Sequence, residues 1–169
     1  AADLTLGNLV SGEALSHSGT ATISSANAGS YTISNLSGIS IADGSGGAAS
    51  NYTLTGGTQN FTVNTRPLNA TLARQYDGTT ASAGSTLSSF DALQGGETLT
   101  MTGSGTAASA NVANGIAMSS NGNLALADGT GAASNYSLNS TVINIAKRVL
   151  NSSGSKTYDA NTNALAGAI

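Results

Sequence analysis

Two short echoes constrain this chain more than any other feature of its sequence. Arg74-Gln75-Tyr76-Asp77-Gly78-Thr79-Thr80 returns as Lys156-Thr157-Tyr158-Asp159-Ala160-Asn161-Thr162, with the two tyrosines 82 residues apart. Ala49-Ser50-Asn51-Tyr52-Thr53-Leu54 returns as Ala133-Ser134-Asn135-Tyr136-Ser137-Leu138 at a spacing of 84. Self-similarity at a fixed period marks a repeat array, in which each module packs beside copies of itself. Further matches fill the period: Glu13 with Glu97 and Asn27 with Asn111 at 84, then Asp43-Gly44 with Asp128-Gly129 at 85. One residue is thus lost from the Gly-rich loop that follows Asp128, and slippage of this kind is expected in loops. The chain divides into residues 1–65, a unit lacking its opening strand, 66–147, a complete unit, and 148–169, the opening of a third.

A unit of about 80 residues is small, but such a chain can bury a core of its own. Charged residues make up only 8% of the chain, so hydroxyls and amides must coat the surface; with a net charge of −3 and 39% hydrophobic residues, self-repulsion does not keep the chain unfolded. The absence of cysteine excludes disulfides, thiolate catalysis and cysteine metal sites. No apolar run is long enough to span a membrane. No basic and apolar leader stands at residue 1, so any export signal is expected outside this fragment. An acidic balance argues against nucleic acid as a partner, because phosphate binding needs a basic face.

The coarse pattern is β throughout. Ala21-Thr22-Ile23-Ser24, Tyr31-Thr32-Ile33-Ser34 and Asn60-Phe61-Thr62-Val63-Asn64 alternate polar and apolar residues, with turn residues between them. Asp43-Gly44 suits a turn with positive φ. Ser88-Ser89-Phe90-Asp91-Ala92-Leu93 is the one stretch that predicts a helical turn, capped by Ser88 or Ser89. Thr65-Arg66-Pro67 joins the closing strand of one unit to Leu68-Asn69-Ala70-Thr71-Leu72 without a flexible linker. The expected architecture is all-β, with tandem small Ig-like β-sandwich repeats in an elongated rod. Alternatives are β-grasp-like units or a β-solenoid, whose shorter rungs would leave a 20- to 30-residue sub-repeat that the sequence lacks. The first unit lacks an opening strand while Leu150 onward offers one, so neighbouring molecules are expected to complement each other end to end.

Candidate site residues are few. His17, the only histidine, matches Met101 in the next unit, which argues against a catalytic base and points to a non-enzyme. Asp43 and Asp128 are weak calcium candidates, but calcium wants six to eight oxygens and each loop supplies one carboxylate, so an Asp-Gly turn is the simpler expectation. No other cofactor is expected. Tyr52, Tyr136, Tyr76 and Tyr158 are expected to anchor the core. All five basic residues, Arg66, Arg74, Lys147, Arg148 and Lys156, lie in the two junction segments. Stacked junctions would form a spaced row of cations able to engage an acidic polysaccharide, or equally would guard exposed strands against edge-to-edge pairing. Seven Asn-X-Ser/Thr sequons occur, at Asn35, Asn51, Asn60, Asn69, Asn135, Asn139 and Asn151, close to what this composition supplies by chance.

The Tyr76-Asp77-Gly78-Thr79-Thr80 opening, Gly95-Gly96-Glu97, Ala133-Ser134-Asn135-Tyr136 and Ile143-Asn144-Ile145-Ala146 together resemble the YDG-type repeats of large bacterial surface proteins. Such repeats occur beside the related MBG-type repeats in filamentous-haemagglutinin-like adhesins exported by two-partner secretion. The resemblance covers nearly the whole chain; Ala160 departs from it in place of Gly, and Arg74-Gln75 in place of Lys-Thr. It implies an extracellular, cell-surface stalk or adhesive module, with no catalytic residues to carry over. The expected function is therefore a non-enzymatic repeat of a secreted adhesin, supporting attachment, aggregation or biofilm. Its expected partners are neighbouring repeats of the same chain, with a polysaccharide or host-surface glycan as a further one. Alternatives are a carbohydrate-binding module using the junction cations, or a calcium-stiffened spacer.

Overall fold

The computed structural model describes residues 5–33, 35–55 and 59–163, which are all-β, with three-residue 3₁₀ turns as the helical pieces among them. The first unit holds β1 (Leu15–Gly19), β2 (Gly29–Ile33), β3 (Ile39–Asp43) and β4 (Gln59–Val63). The second opens with β5 (Arg66–Gln75), β6 (Ala81–Ala83), β7 (Leu87–Phe90) and β8 (Leu99–Thr102). It continues with β9 (Ser104–Ala107), β10 (Ala113–Ser120), β11 (Ala125–Asp128) and β12 (Tyr136–Ala146).

In the second unit a six-stranded sheet runs β6-β9-β10-β12-β5-β7 and curls into a half-barrel. At its centre β5 and β12 pair in parallel, from Tyr136 facing Arg66 to Ala146 facing Gln75. Parallel neighbours require a long crossover. Here that crossover is the rest of the unit. β5 alternates in the way a half-buried strand must: Leu68, Ala70 and Leu72 are buried, Asn69 and Thr71 between them are exposed and half-buried, and Ala73 after them is exposed. Pro67 sits at the second residue of the strand, near the end where a missing N–H is tolerated. The β8–β11 pair packs over this sheet, bringing Met101, Leu124 and Leu126 onto Leu72, Ile143 and Ile145. Each fully buried Leu or Ile contributes roughly 1.5–3 kcal/mol of transfer free energy. A parallel pair at the sheet centre sets this unit apart from the antiparallel sheets of an Ig sandwich.

The first unit repeats part of this plan. β1 pairs with β3 as β8 pairs with β11, and β2 pairs with β4 as β10 pairs with β12. Its core differs. In the second unit Leu68 is fully buried against Phe90, Leu93, Leu99, Leu126 and Tyr136. Their repeat matches, Leu6, Leu9, Leu15, Ile41 and Tyr52, instead line a cavity of about 60 Å³, beside a larger one of about 190 Å³ that shares Leu6, Tyr52 and Leu54. The first unit therefore keeps the slot for an opening-strand leucine, and no described residue fills it.

Several expectations need correction. Ser88–Leu93 does not form a helical turn: Leu87–Phe90 is strand β7, paired with β5, and the 3₁₀ turn falls one step earlier at Gly84–Thr86. Phe90 packs on the core from that strand, and this contact overrides the local capping signal. The loop after Asp43 does carry one residue more than its match: Asp43 Oδ1 accepts from Ala49 N–H, whereas Asp128 Oδ1 reaches Ala133 N–H one position sooner. However, the residue gained earlier in the period sits in a strand. The β10–β12 register shifts between Ala113 and Ile116, around Gly115 at φ +66°, which is a β-bulge. Positive φ falls at Gly46 rather than Gly44, while Gly78 (+80°) and Ala160 (+56°) both carry it after the motif aspartate.

Candidate functional site: the repeat junction

Each unit is closed by the same internal lock. Tyr136 donates its hydroxyl hydrogen to the Glu97 carboxylate and accepts the Gln94 N–H at 3.1 Å. Tyr52 does the same with Glu13 and with the Val10 N–H at 3.1 Å. Donation to the carboxylate pushes both phenols above the ordinary tyrosine value. The Tyr136 ring is buried beside Leu68 and Leu99, as an anchor should be. Tyr52 is half-buried. The expectation for the other pair of tyrosines fails: Tyr76 and Tyr158 are exposed. They project from a turn instead of entering the sheet.

That turn, Tyr-Asp-Gly/Ala-Thr/Asn, is held by its own polar atoms. Asp77 accepts from the Thr79 N–H at 2.9 Å and from Arg74, which also donates to the Thr79 carbonyl. In the later copy Asp159 accepts from Lys156 at 2.8 Å and from the Asn161 N–H at 3.2 Å. Both carboxyls lie below their ordinary value, Asp77 chiefly through the Thr79 N–H and Asp159 chiefly through Lys156. Asp91 is lowered as well, by the Asn69 N–H first and the Asn69 side chain second. Lysine thus replaces arginine without loss of the clasp.

The junction itself is two residues long, Asn64 and Thr65, between β4 and β5. Two hydrogen bonds reach across from the first unit to the second. The Ala28 N–H donates to Asn135 Oδ1 at 2.8 Å, and Asn135 Nδ2 donates to Asn27 Oδ1 at 3.1 Å. Behind them lies a cleft of about 400 Å³, lined from the first unit by Asn27 and Val63 and from the second by Arg66, Gln94, Glu97 and Tyr136. Its polar groups largely bond to one another: Arg66 donates to Gln94 Oε1 at 3.0 Å, Glu97 accepts from Tyr136, and Asn135 holds Asn27. Tyr136, its one aromatic ring, is buried and offers no open face for stacking. The cleft is a polar seam between repeats.

Residues 62–143 match the YDG domain. The match begins at the end of β4, covers most of the second unit and stops within β12. No curated protein and no solved structure matches the chain. Around the YDG domain the candidate residues are spread rather than gathered. Arg74, half-buried, and Lys156, exposed, are tied into their own turns, Arg66 faces the cleft, and Lys147 and Arg148 are exposed beyond β12. Asp43 and Asp128 each receive a loop N–H at 2.7 Å, and among the described residues no group of three acidic or histidine side chains could hold a metal ion. His17 is exposed on β1, opposite Ile41, while its match Met101 is buried. Among the sequon asparagines, Asn69, Asn135 and Asn139 have their amide nitrogens bonded to Asp91, Asn27 and Asn69 respectively. No helix among the described residues is long and apolar enough to cross a membrane.

Asn27 and Asn111, and Asn51 and Asn135, are legible in the sequence as repeat partners; that Asn27 meets Asn135 is not. Their contact crosses between units, and a self-comparison of the sequence finds like positions, not facing ones.

Proposed function

We propose that this chain is a non-enzymatic repeat segment of a large bacterial surface adhesin, placed outside the cell and exported by two-partner secretion. In this reading its units set distance and direction between an anchor and whatever the parent protein grips, in attachment, aggregation or biofilm. The observation that carries the reading is the parallel pairing of β5 with β12. Because the first and last strands of the unit run the same way, the chain enters at one end and leaves at the other. Each repeat then advances the chain by the length of a ten-residue strand, about 33 Å. A junction of two residues, and a chain in which only 8% of residues are charged, suit a rod of small repeated units.

A second reading, a carbohydrate-binding module, draws on Lys147 and Arg148, which make no ion pair among the described residues. Binding of the chain to neutral and acidic polysaccharides at low and moderate salt separates the two. The comparison protein has Arg66, Arg74, Lys147, Arg148 and Lys156 all replaced by Gln. The spacer reading expects no binding by either protein. Salt-sensitive binding by the parent chain that disappears in the variant would overturn it in favour of glycan recognition along the repeats.

A further inference from the structure

We propose that the Asn of the repeated Asn-Tyr pair is a latch for the neighbouring repeat, received by an Asn-X turn that every unit carries at its other end. The Tyr of the pair closes its own unit through Glu97 or Glu13. The Asn beside it reaches across the seam instead. Nothing in this assignment depends on the parent protein being an adhesin.

The geometry is specific. Asn135 uses both ends of its amide, accepting from the Ala28 N–H at 2.8 Å and donating to Asn27 Oδ1 at 3.1 Å. Two bonds from one planar group fix the approach and the rotation of the turn it holds, which a single bond would not. The turn is prepared to receive it: the Asn27 N–H is taken by Ser25 Oγ at 3.1 Å and the Asn27 backbone carbonyl by the Tyr31 hydroxyl at 2.8 Å, which leaves the Asn27 side-chain amide and the Ala28 N–H for the neighbour. These are the two hydrogen bonds that join the first unit to the second among the described residues. No strand pairs across the junction there, and the seam is largely polar. Interfaces of that kind leave neighbouring domains free to swing unless something directional restrains them. The two-residue junction limits the swing and the latch selects one orientation within it.

The repeat carries both halves a second time. Ser109 Oγ accepts the Asn111 N–H at 3.1 Å, the same turn as Ser25 and Asn27, with Asn111 and Val112 exposed where Asn27 and Ala28 meet their partner. Asn51 stands in the same 3₁₀ turn as Asn135, ahead of Tyr52, and makes no such bond among the described residues. The partner that fits Asn51 is the Asn-X turn of a repeat before it, and the partner that fits Asn111–Val112 is the Asn of a repeat after it. One contact, used at each junction, would give every pair of neighbours the same orientation. A glycan on Asn135 Nδ2 would stand where Asn27 stands, so modification of that sequon and latching exclude each other.

The test is the distance distribution between spin labels on the two units. The chain has no cysteine, so labels go only where Ser18→Cys on β1 and Ser89→Cys on β7 place them; both serines are exposed. A single narrow distribution is expected in the otherwise unaltered chain. Asn135→Ala and Asn27→Ala should each broaden it by about twofold, towards the unrestrained motion usual for small polar interfaces. Asn51→Ala, the same change at the position with no turn facing it, should leave the distribution as it was. If Asn135→Ala disturbs its own 3₁₀ turn, seen as a lost Tyr136–Glu97 lock by tyrosine titration, Asn27→Ala on the other unit carries the result alone. A broad distribution in the parent chain, no broadening in Asn27→Ala, or equal broadening in Asn51→Ala would each overturn the latch. A change in polysaccharide binding would bear on the spacer reading and leave this result untouched.

Discussion

The two units share their hydrogen bonds and differ in their cores. Tyr52 and Tyr136 make the same pair of contacts, Asp43 and Asp128 hold the same loop, and β1–β3 repeats the register of β8–β11. Yet Leu99 and Met101 are buried in the second unit, while their matches Leu15 and His17 are half-buried and exposed. The difference is β5. It delivers Leu68, Ala70 and Leu72 to the second unit, and no described strand lies along the corresponding edge of β4 in the first. Polar locks in this fold are local to the loops that make them. The apolar core is assembled by one strand paired with the far end of the unit.

The sharpest way to break that comparison is to remove the leucine that fills the slot. Leu68→Ala would give the second unit the cavity that the first already has. It should destabilise that unit by about 2–5 kcal/mol, the usual cost of a large-to-small change at a fully buried leucine. Leu15→Ala, on the wall of the open slot in the first unit, should cost well under half as much, because its side chain is only half-buried. Denaturant unfolding followed by amide resonances of each unit measures both. Equal losses would mean that the first unit has a core as dependent on packing as the second.

Much of this was legible in the sequence, for physical reasons. The all-β class and the repetition of Glu13 as Glu97 and of Tyr52 as Tyr136 follow from periodicity, turn chemistry and self-similarity, whereas the contact between Glu97 and Tyr136 does not. What stayed hidden is what depends on contacts distant in the chain. Nothing local in Leu68-Asn69-Ala70-Thr71-Leu72 states that its neighbour is β12, some seventy residues on, or that the pair is parallel. Leu87–Phe90 is a strand because β5 is there to pair with it, so a capping pattern misled. The gained residue went into a bulge at Gly115, where a positive φ relieves the mismatch, instead of into a loop. Ring size alone points Tyr76 and Tyr158 to the core, yet both follow the turn outward.

A repeated glycine sharpens the comparison at a smaller scale. Gly19 ends β1 and its match Gly103 directly follows β8, at φ +98° and +78°, and a Cβ on either would strike a backbone carbonyl, that of Gly38 or of Asn123. Gly103→Ala should therefore destabilise its unit by more than about 1 kcal/mol, since alanine resists positive φ and the carbonyl must also move. Gly19→Ala should act in the same direction on the first unit. Near-identical losses at the two sites would confirm that turn geometry is set locally in each copy, whatever the state of the core. A neutral Gly19→Ala beside a costly Gly103→Ala would mean that the turn, like the core, is enforced by β5.

The smallest expected effect is confined to alkaline pH, and its sign follows from the tyrosine locks. Both phenols hold their protons more tightly folded than an ordinary tyrosine, whose pKa is about 10. Below that value folded and unfolded chains are equally protonated, and the contribution of the lock is fully present. As pH rises past it the unfolded chain loses these protons first, so stability falls until the folded phenols ionise too. Tyr136→Phe should flatten the fall in the urea midpoint of the second unit as pH rises past about 10. Tyr52→Phe should do so in the first. Glu97→Gln tests the cause, because without the carboxylate Tyr136 should titrate nearer the ordinary value in phenolate absorbance. If the alkaline slope of Tyr136→Phe matches that of the parent chain, the Glu97 contact does not hold the phenol's proton, and the two units share a geometry without sharing a lock.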